Sequence, residues 1–359
     1  MRRKRLRELG ITIGELPTGP HNAITDVPGV RVGHTTLQYD EPRVARTGVT
    51  VIVPHAVTDG REIYQDQAFA GYYSFNGNGE MTGLLWLEES GCLGSPIAIT
   101  NTHQVGVVRD ALVEYEINRH PDSAWLLPVV AETYDGWLND INAFHVTKDH
   151  VFAALAAAQS GPVPEGNVGG GTGMICHGFK GGIGTSSRVI ESAGAQYTVG
   201  ALVQANYGSR HHLRVDGVPV GRAISPESVP TPWTKPPSGG SIIVVVATDA
   251  PLLPFQCKRL AQRATVGLAR VGGVGHNSSG DIFLTFATGN RVPIEQIPPV
   301  ALQMISNAQI NPFFEATAEA VEEAILNALC AAETTTGQQG RIAYALPLDE
   351  LQQIMRHAI

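Results

Sequence analysis

Cysteine is scarce in this sequence. Only Cys92, Cys176, Cys257 and Cys330 occur in 359 residues, far apart and without a CxxC pair. That pattern argues against a disulfide frame or a cysteine-based zinc site and predicts buried thiols. Positive charge is also short: 25 Lys and Arg stand against 33 Asp and Glu, a net charge of −8. Nucleic acid demands a basic face, and no basic stripe survives beyond the opening MRRKRLREL. No apolar segment with a small-residue cleavage site follows that opening, so no secretory signal is expected. No apolar run approaches the roughly 18 residues that cross a bilayer. These absences predict a cytoplasmic protein with neither nucleic-acid nor membrane partners. An HExxH motif is missing, and the twelve histidines show no carboxylate–histidine cluster at ligand spacing, which disfavours a catalytic metal.

What the sequence has in excess is glycine, 40 residues against an ordinary share of about 7%. The glycines cluster beside apolar runs without a collagen period, which predicts tight turns and close backbone approaches in a folded enzyme. Apolar strands alternate with amphipathic helices. Strands are expected at Val49 to His55, Ser95 to Thr100, Gln196 to Gln204, Ser241 to Thr248 and Asp281 to Thr288, all rich in β-branched residues. SIIVVVAT is apolar on both faces and therefore central. Helices are expected at Val105 to Asn118, Lys148 to Gln159, Leu252 to Arg270 and Phe313 to Ala332. Thr248 or Asp249 is the expected cap of the third, with Pro251 in its first turn. Residues Asp216 to Gly240 break the alternation with six prolines and a closing Ser-Gly-Gly. A surface loop is expected there.

Several clusters can carry chemistry. At Gly239-Gly240-Ser241 a flexible dipeptide meets a hydroxyl that starts a buried strand. If the Gly240-Ser241 bond breaks, Ser241 acquires an α-amine beside its own hydroxyl. With a reference pKa of about 7.7–8.0, that amine can act as a base. A turn before an ordinary strand is the commoner reading of this stretch taken alone. In Ser278-Ser279-Gly280-Asp281, hydroxyl and carboxylate two residues apart share one face of a strand, though a capped turn has the same letters. Asn206, where LVQAN ends, can donate to an oxyanion. Tyr134 sits in the polar-aromatic run AETYDGWLND. The glycine-rich Gly166 to Gly173 and Lys180 to Thr185 lack the spacing of either phosphate-binding loop, so close packing around a pocket is the favoured reading.

Taken in order, these blocks resemble the DmpA-type L-aminopeptidase/D-esterases, which include the β-peptidyl aminopeptidases. The resemblance runs nearly end to end, from ITDVPGVRVGHTTL and GNGEMTGLLWLEESG through ITNTHQVGVVRDA, VVAETYDGWLNDIN, GNVGGGTGM and LVQANYG to GGSIIVVVATDAPLLP and SSGDIFLTFATGN. It implies a four-layer αββα sandwich, a single domain over residues 1–359. It also implies self-cleavage at Gly240-Ser241 into an α chain (1–240) and a β chain (241–359). Ser241 would be the nucleophile, Ser279 and Asp281 its relay, and Asn206 and Tyr134 the oxyanion donors. No cofactor is implied. The substrates would be short peptides, amino-acid amides or esters, and the assembly an oligomer of αβ units. An acyltransferase of the ornithine acetyltransferase type, or a non-enzymatic binding protein, remains a rival at this point.

Overall fold

The computed structural model describes residues 3–55, 61–122, 125–233, 240–294 and 299–358. Two sheets stack face to face. The first has four strands in the order β1 (Arg31–Tyr39), β2 (Ala45–Val53), β5 (Ile97–Asn101), β6 (Val129–Thr133). The second has six, in the order β4 (Cys92–Leu93), β3 (Asp66–Gly77), β12 (Ser279–Pro293), β11 (Gly240–Thr248), β10 (Ala195–Asn206), β9 (Gly182–Ser192). Between β6 and β9 a short hairpin pairs β7 (Ile175–Cys176) with β8 (Phe179–Lys180).

The strand that is apolar on both faces explains the layering. Along β11, Ile242, Val244 and Val246 pack toward helices, whereas Ile243, Val245 and Ala247 pack toward the other sheet. The period-2 alternation of a strand sends each set to its own layer. Helices α5 (Pro254–Val271) and α6 (Asn311–Ala331) cover the six-stranded sheet through Leu260, Leu268, Val321, Ile325 and Leu329. Helices α2 (Val105–Arg119) and α3 (Lys148–Ala156) cover the four-stranded sheet through Val108, Leu112, Val151 and Leu155. The order is helix, sheet, sheet, helix, the αββα sandwich.

The expected strands and helices are present, with shifted ends. Helix α5 starts at Pro254, not near Pro251, with Leu253 at its N-cap. Thr248 and Asp249 do other work: Thr248 Oγ1 accepts from Ala250 N at 3.2 Å, and Asp249 Oδ1 accepts from Thr198 N at 2.8 Å. The expected surface loop is also more buried than its prolines suggested. Val220, which starts the short helix α4 (Val220–Ala223), and Ile224, which caps its end, are fully buried. Residues 234–239 of that segment lie outside the described residues.

Strand β9 was not anticipated, because GIGTSSRVIES reads as polar. Its hydroxyls and charge are satisfied by neighbours: Ser186 Oγ donates to Ala320 O at 2.6 Å, and Thr185 Oγ1 to Ala201 O at 2.7 Å. The fully buried Arg188 pairs with Glu319 and Glu323 of α6, each at 2.8 Å. Buried polar groups persist when paired in this way.

The glycine-rich segment Gly169–Gly173 forms a buried 3-10 turn against the strands. A Cβ at Gly171 would stand 2.5 Å from Ile183 N. Lys180 Nζ donates to Gly171 O at 3.2 Å and to Gly181 O at 2.8 Å. Burial lowers its pKa to about 7. This lysine braces the turn. Cys176, Cys257 and Cys330 are buried free thiols and Cys92 is half-buried. Among the described residues no helix is long and apolar enough to cross a membrane.

Candidate active site

Strand register brings the distant residues of the sequence to one place. Ser241, 4% exposed, is the second residue of β11. It pairs with Asn206 on the antiparallel β10 and with Gly280 on the parallel β12. Gly240 pairs with Ser279, and Ile242 with Asp281. The hydroxyl-and-carboxylate pair therefore flanks the Gly240-Ser241 peptide. Ser279 Oγ donates to Asp281 Oδ1 at 2.7 Å. Burial pushes the Asp281 carboxyl up to about 6, although Ser279 and the Ile242 N–H donate to it.

Gly240 is confined by its neighbour strand. A Cβ there would lie 2.8 Å from Tyr207 Cα and 2.9 Å from Asn206 O. Only glycine lets the chain pass so close to the end of β10. Asn206 itself is held from both sides: its Oδ1 accepts from Ile175 N at 2.8 Å, and its Nδ2 donates to Tyr134 O at 2.9 Å. The second Nδ2 hydrogen is available for a ligand.

A pocket of about 640 Å³ opens at these strand ends, lined among others by Ser241, Asn206, Tyr134 and Ser278. Its size suits a small molecule. Tyr134 is half exposed at the end of β6, and its ring lies over Gly136, whose Cβ would stand 2.3 Å from the phenol oxygen. The turn that carries it is closed by Leu138 N and Asn139 N donating to Asp135 O at 3.1 and 3.0 Å. So Ser241, Asn206 and Tyr134 share one pocket, while Ser279 and Asp281 stand beside the Gly240-Ser241 peptide on the neighbouring strand.

Two features of the pocket were not singled out from the sequence. Glu132 lines it and is only 4% exposed. Its Oε1 accepts from Glu80 N at 3.1 Å, and its Oε2 accepts from Thr102 Oγ1. Burial raises its pKa. A buried carboxylate facing a pocket is a ready anchor for a cation. The other feature is an aromatic wall: Trp137 and Trp233 meet edge to face, 5.4 Å apart. Trp233 comes from the proline-rich segment, a contact that no local pattern signals. One statement made from the sequence needs correction. A carboxylate–histidine cluster does exist, because Glu116 and His120 meet the remote Glu62.

The layered fold and a pocket around a strand-end serine define the class: a serine aminopeptidase of the Ntn hydrolase kind. The β-aminopeptidase of Burkholderia sp. superposes with a TM-score of 0.92 at 53% identity, over 99% of both chains. The L-aminopeptidase D-Ala-esterase/amidase of Ochrobactrum anthropi, a prototype of the serine aminopeptidases and a variant of the Ntn hydrolase fold, superposes with a TM-score of 0.91 at 45% identity, over 99% of this chain and 98% of that one. The β-peptidyl aminopeptidase BapA of Sphingosinicella microcystinivorans is 48% identical over 370 residues, which span 98% of this chain and 92% of that protein. The chain belongs to peptidase family S58, whose model matches residues 22–343. It is an aminopeptidase that takes peptide or amide substrates. The acyltransferase and binding-protein readings give way to that.

Proposed function

We propose that this aminopeptidase matures by cutting its own Gly240-Ser241 bond and then uses Ser241 as an N-terminal nucleophile. The observation that carries the reading is the strand register that sets Ser241 between Asn206 and Gly280, with the hydrogen-bonded Ser279 and Asp281 alongside. In maturation Ser241 Oγ attacks the Gly240 carbonyl carbon, its proton passes to the Ser241 nitrogen, and the C–N bond breaks to leave an ester. Water then hydrolyses the ester, giving an α chain of 1–240 and a β chain of 241–359. In turnover the same oxygen attacks the carbonyl of the substrate's first residue. The new α-amine, assisted by Ser279 and Asp281, accepts the proton. Asn206 Nδ2, with Tyr134, stabilises the oxyanion, at about 2.7–4 kcal/mol for one well-placed donor. The amine product leaves, and water releases the acyl group.

Intact-mass analysis of matured protein should therefore give two chains divided between Gly240 and Ser241. A single uncut chain with full activity would overturn the N-terminal-amine mechanism.

Glu132 serves as the anchor for the substrate's free ammonium. An incoming cation offsets the burial that raises this carboxyl's pKa. Glu132→Gln should raise KM for a free aminoacyl p-nitroanilide by about 10²-fold, the worth of a charge-assisted hydrogen bond of roughly 3 kcal/mol. Its N-acetyl counterpart should be hydrolysed no better by the parent than by the variant. An unchanged KM would remove Glu132 from this role. The names of the Burkholderia and Sphingosinicella relatives support N-terminal β-amino acyl residues among the substrates. Paired α- and β-homo-amino acid amides test that. An oligomer of αβ units in the cytoplasm completes the proposal.

A further inference from the structure

A second polar cavity, of about 280 Å³, lies at the opposite end of the four-stranded sheet. It adjoins the start of β1 at Arg31, the end of β2 at Val53 and the start of β5 at Pro96. The active-site pocket sits at the other end, beyond β5 and β6, at Thr102 and Tyr134. The two share no lining residue.

Glu116 lines this second cavity and is 2% exposed. Among the described residues its Oε2 accepts no hydrogen bond, and neither His120 Nε2 nor Arg31 Nε makes a hydrogen bond. Glu116 and His120 are four residues apart at the C-terminal end of α2, so both project from one face. Glu62 approaches from a separate segment, with its Oε2 3.6 Å from His120 Nε2. One ligand atom from each of the three lies within 4.8 Å of the others. Two carboxylates and an imidazole are a donor set that first-row divalent metals accept. A helix C-terminus adds a favourable field for a cation.

We propose that Glu62, Glu116 and His120 form a binding site for a divalent transition-metal ion of the Zn²⁺ type, remote from catalysis. Its role is to tie the C-terminal end of α2 to the segment around residue 62. Arg119 is the competitor. It pairs with both oxygens of Glu62, and Arg31 brings a second positive charge to the cavity. Metal binding must share or displace the Arg119 contact.

Calorimetric titration of the full chain with Zn²⁺, with thermal unfolding followed in parallel, tests the site. One saturable equivalent and a rising midpoint are expected. Glu116→Gln and His120→Ala should each weaken binding by at least about tenfold, and Arg119→Gln should tighten it. Where alanine weakens the helix end, His120→Asn serves instead. The metal-free aminopeptidase rate should be the same in all of them. A surface alternative is the adjacent pair His211 and His212, whose ring centroids lie 3.9 Å apart with the rings tilted by 52°. Binding lost in His211→Ala but retained in His120→Ala would overturn the proposal. Absence of saturable binding, or a Glu116→Gln variant equal to the parent, would do the same. Unaltered affinity in Arg119→Gln would remove Glu62 from the ligand set.

Discussion

Ser241→Ala is expected to yield an intact, folded 359-residue chain with no measurable aminopeptidase activity. Alanine removes the one atom of this residue that can attack the Gly240 carbonyl. With the bond uncut, the α-amine of residue 241 never appears either. Nucleophile and base are therefore lost together, and the combined fall in rate should be on the order of 10⁴-fold or more. Ser241→Cys should keep part of both reactions, because a thiol ionises more readily than a hydroxyl. The fold should survive either change, since β11 is held by its buried apolar residues on both faces. Mass analysis and rate measurement on the same Ser241→Ala sample decide the matter. An active variant would reject Ser241 as nucleophile, whatever its state of cleavage.

The relay carries the second large effect. Ser279→Ala and Asp281→Asn should slow maturation and turnover together, by about 10²–10⁴-fold, the usual worth of a positioned acid–base group. Their pH dependence separates a chemical role from a structural one. Asp281 is held at about 6 in the fold, above its ordinary 3.8, chiefly by burial. A carboxyl raised by folding contributes its stabilisation below the unfolded pKa and loses it as pH climbs through the folded one. Keeping it ionised at neutral pH thus costs the fold on the order of 3 kcal/mol. Such a cost is tolerated where the charge is needed. The rate should rise with pH through about 6 in the parent, and that limb should vanish in Asp281→Asn. Circular dichroism must show both variants folded. Parent-like rates with an unchanged limb would remove Asp281 from the relay.

Much of the fold was legible along the chain for a local reason. SIIVVVAT is apolar at every other residue on both faces, which suits a strand buried between layers and little else. Helices α2, α3, α5 and α6 carried apolar residues at helical spacing, and their ends came within about three residues because capping and proline signals act locally. Strand β9 escaped because its burial rests on partners more than a hundred residues away, such as Glu319 for Arg188. The start of α5 was misjudged because Asp249 answers to Thr198 on a neighbouring strand.

The site divides in the same way. From its letters alone the sequence determined which residue types could do chemistry: a serine after Gly-Gly, a hydroxyl and a carboxylate two apart, an asparagine at a strand end. It also supplied the ordered blocks that resemble one peptidase family. Tertiary structure alone decided that these residues meet, because strand register, not sequence spacing, sets Asn206 and Gly280 on either side of Ser241. It alone turned Glu132 from one acid in a polar run into the carboxylate of the pocket, and it alone joined Glu62 to Glu116 and His120. Contacts between segments far apart in the chain leave no periodic trace in it; only folding, by burying them together, gives them a common environment.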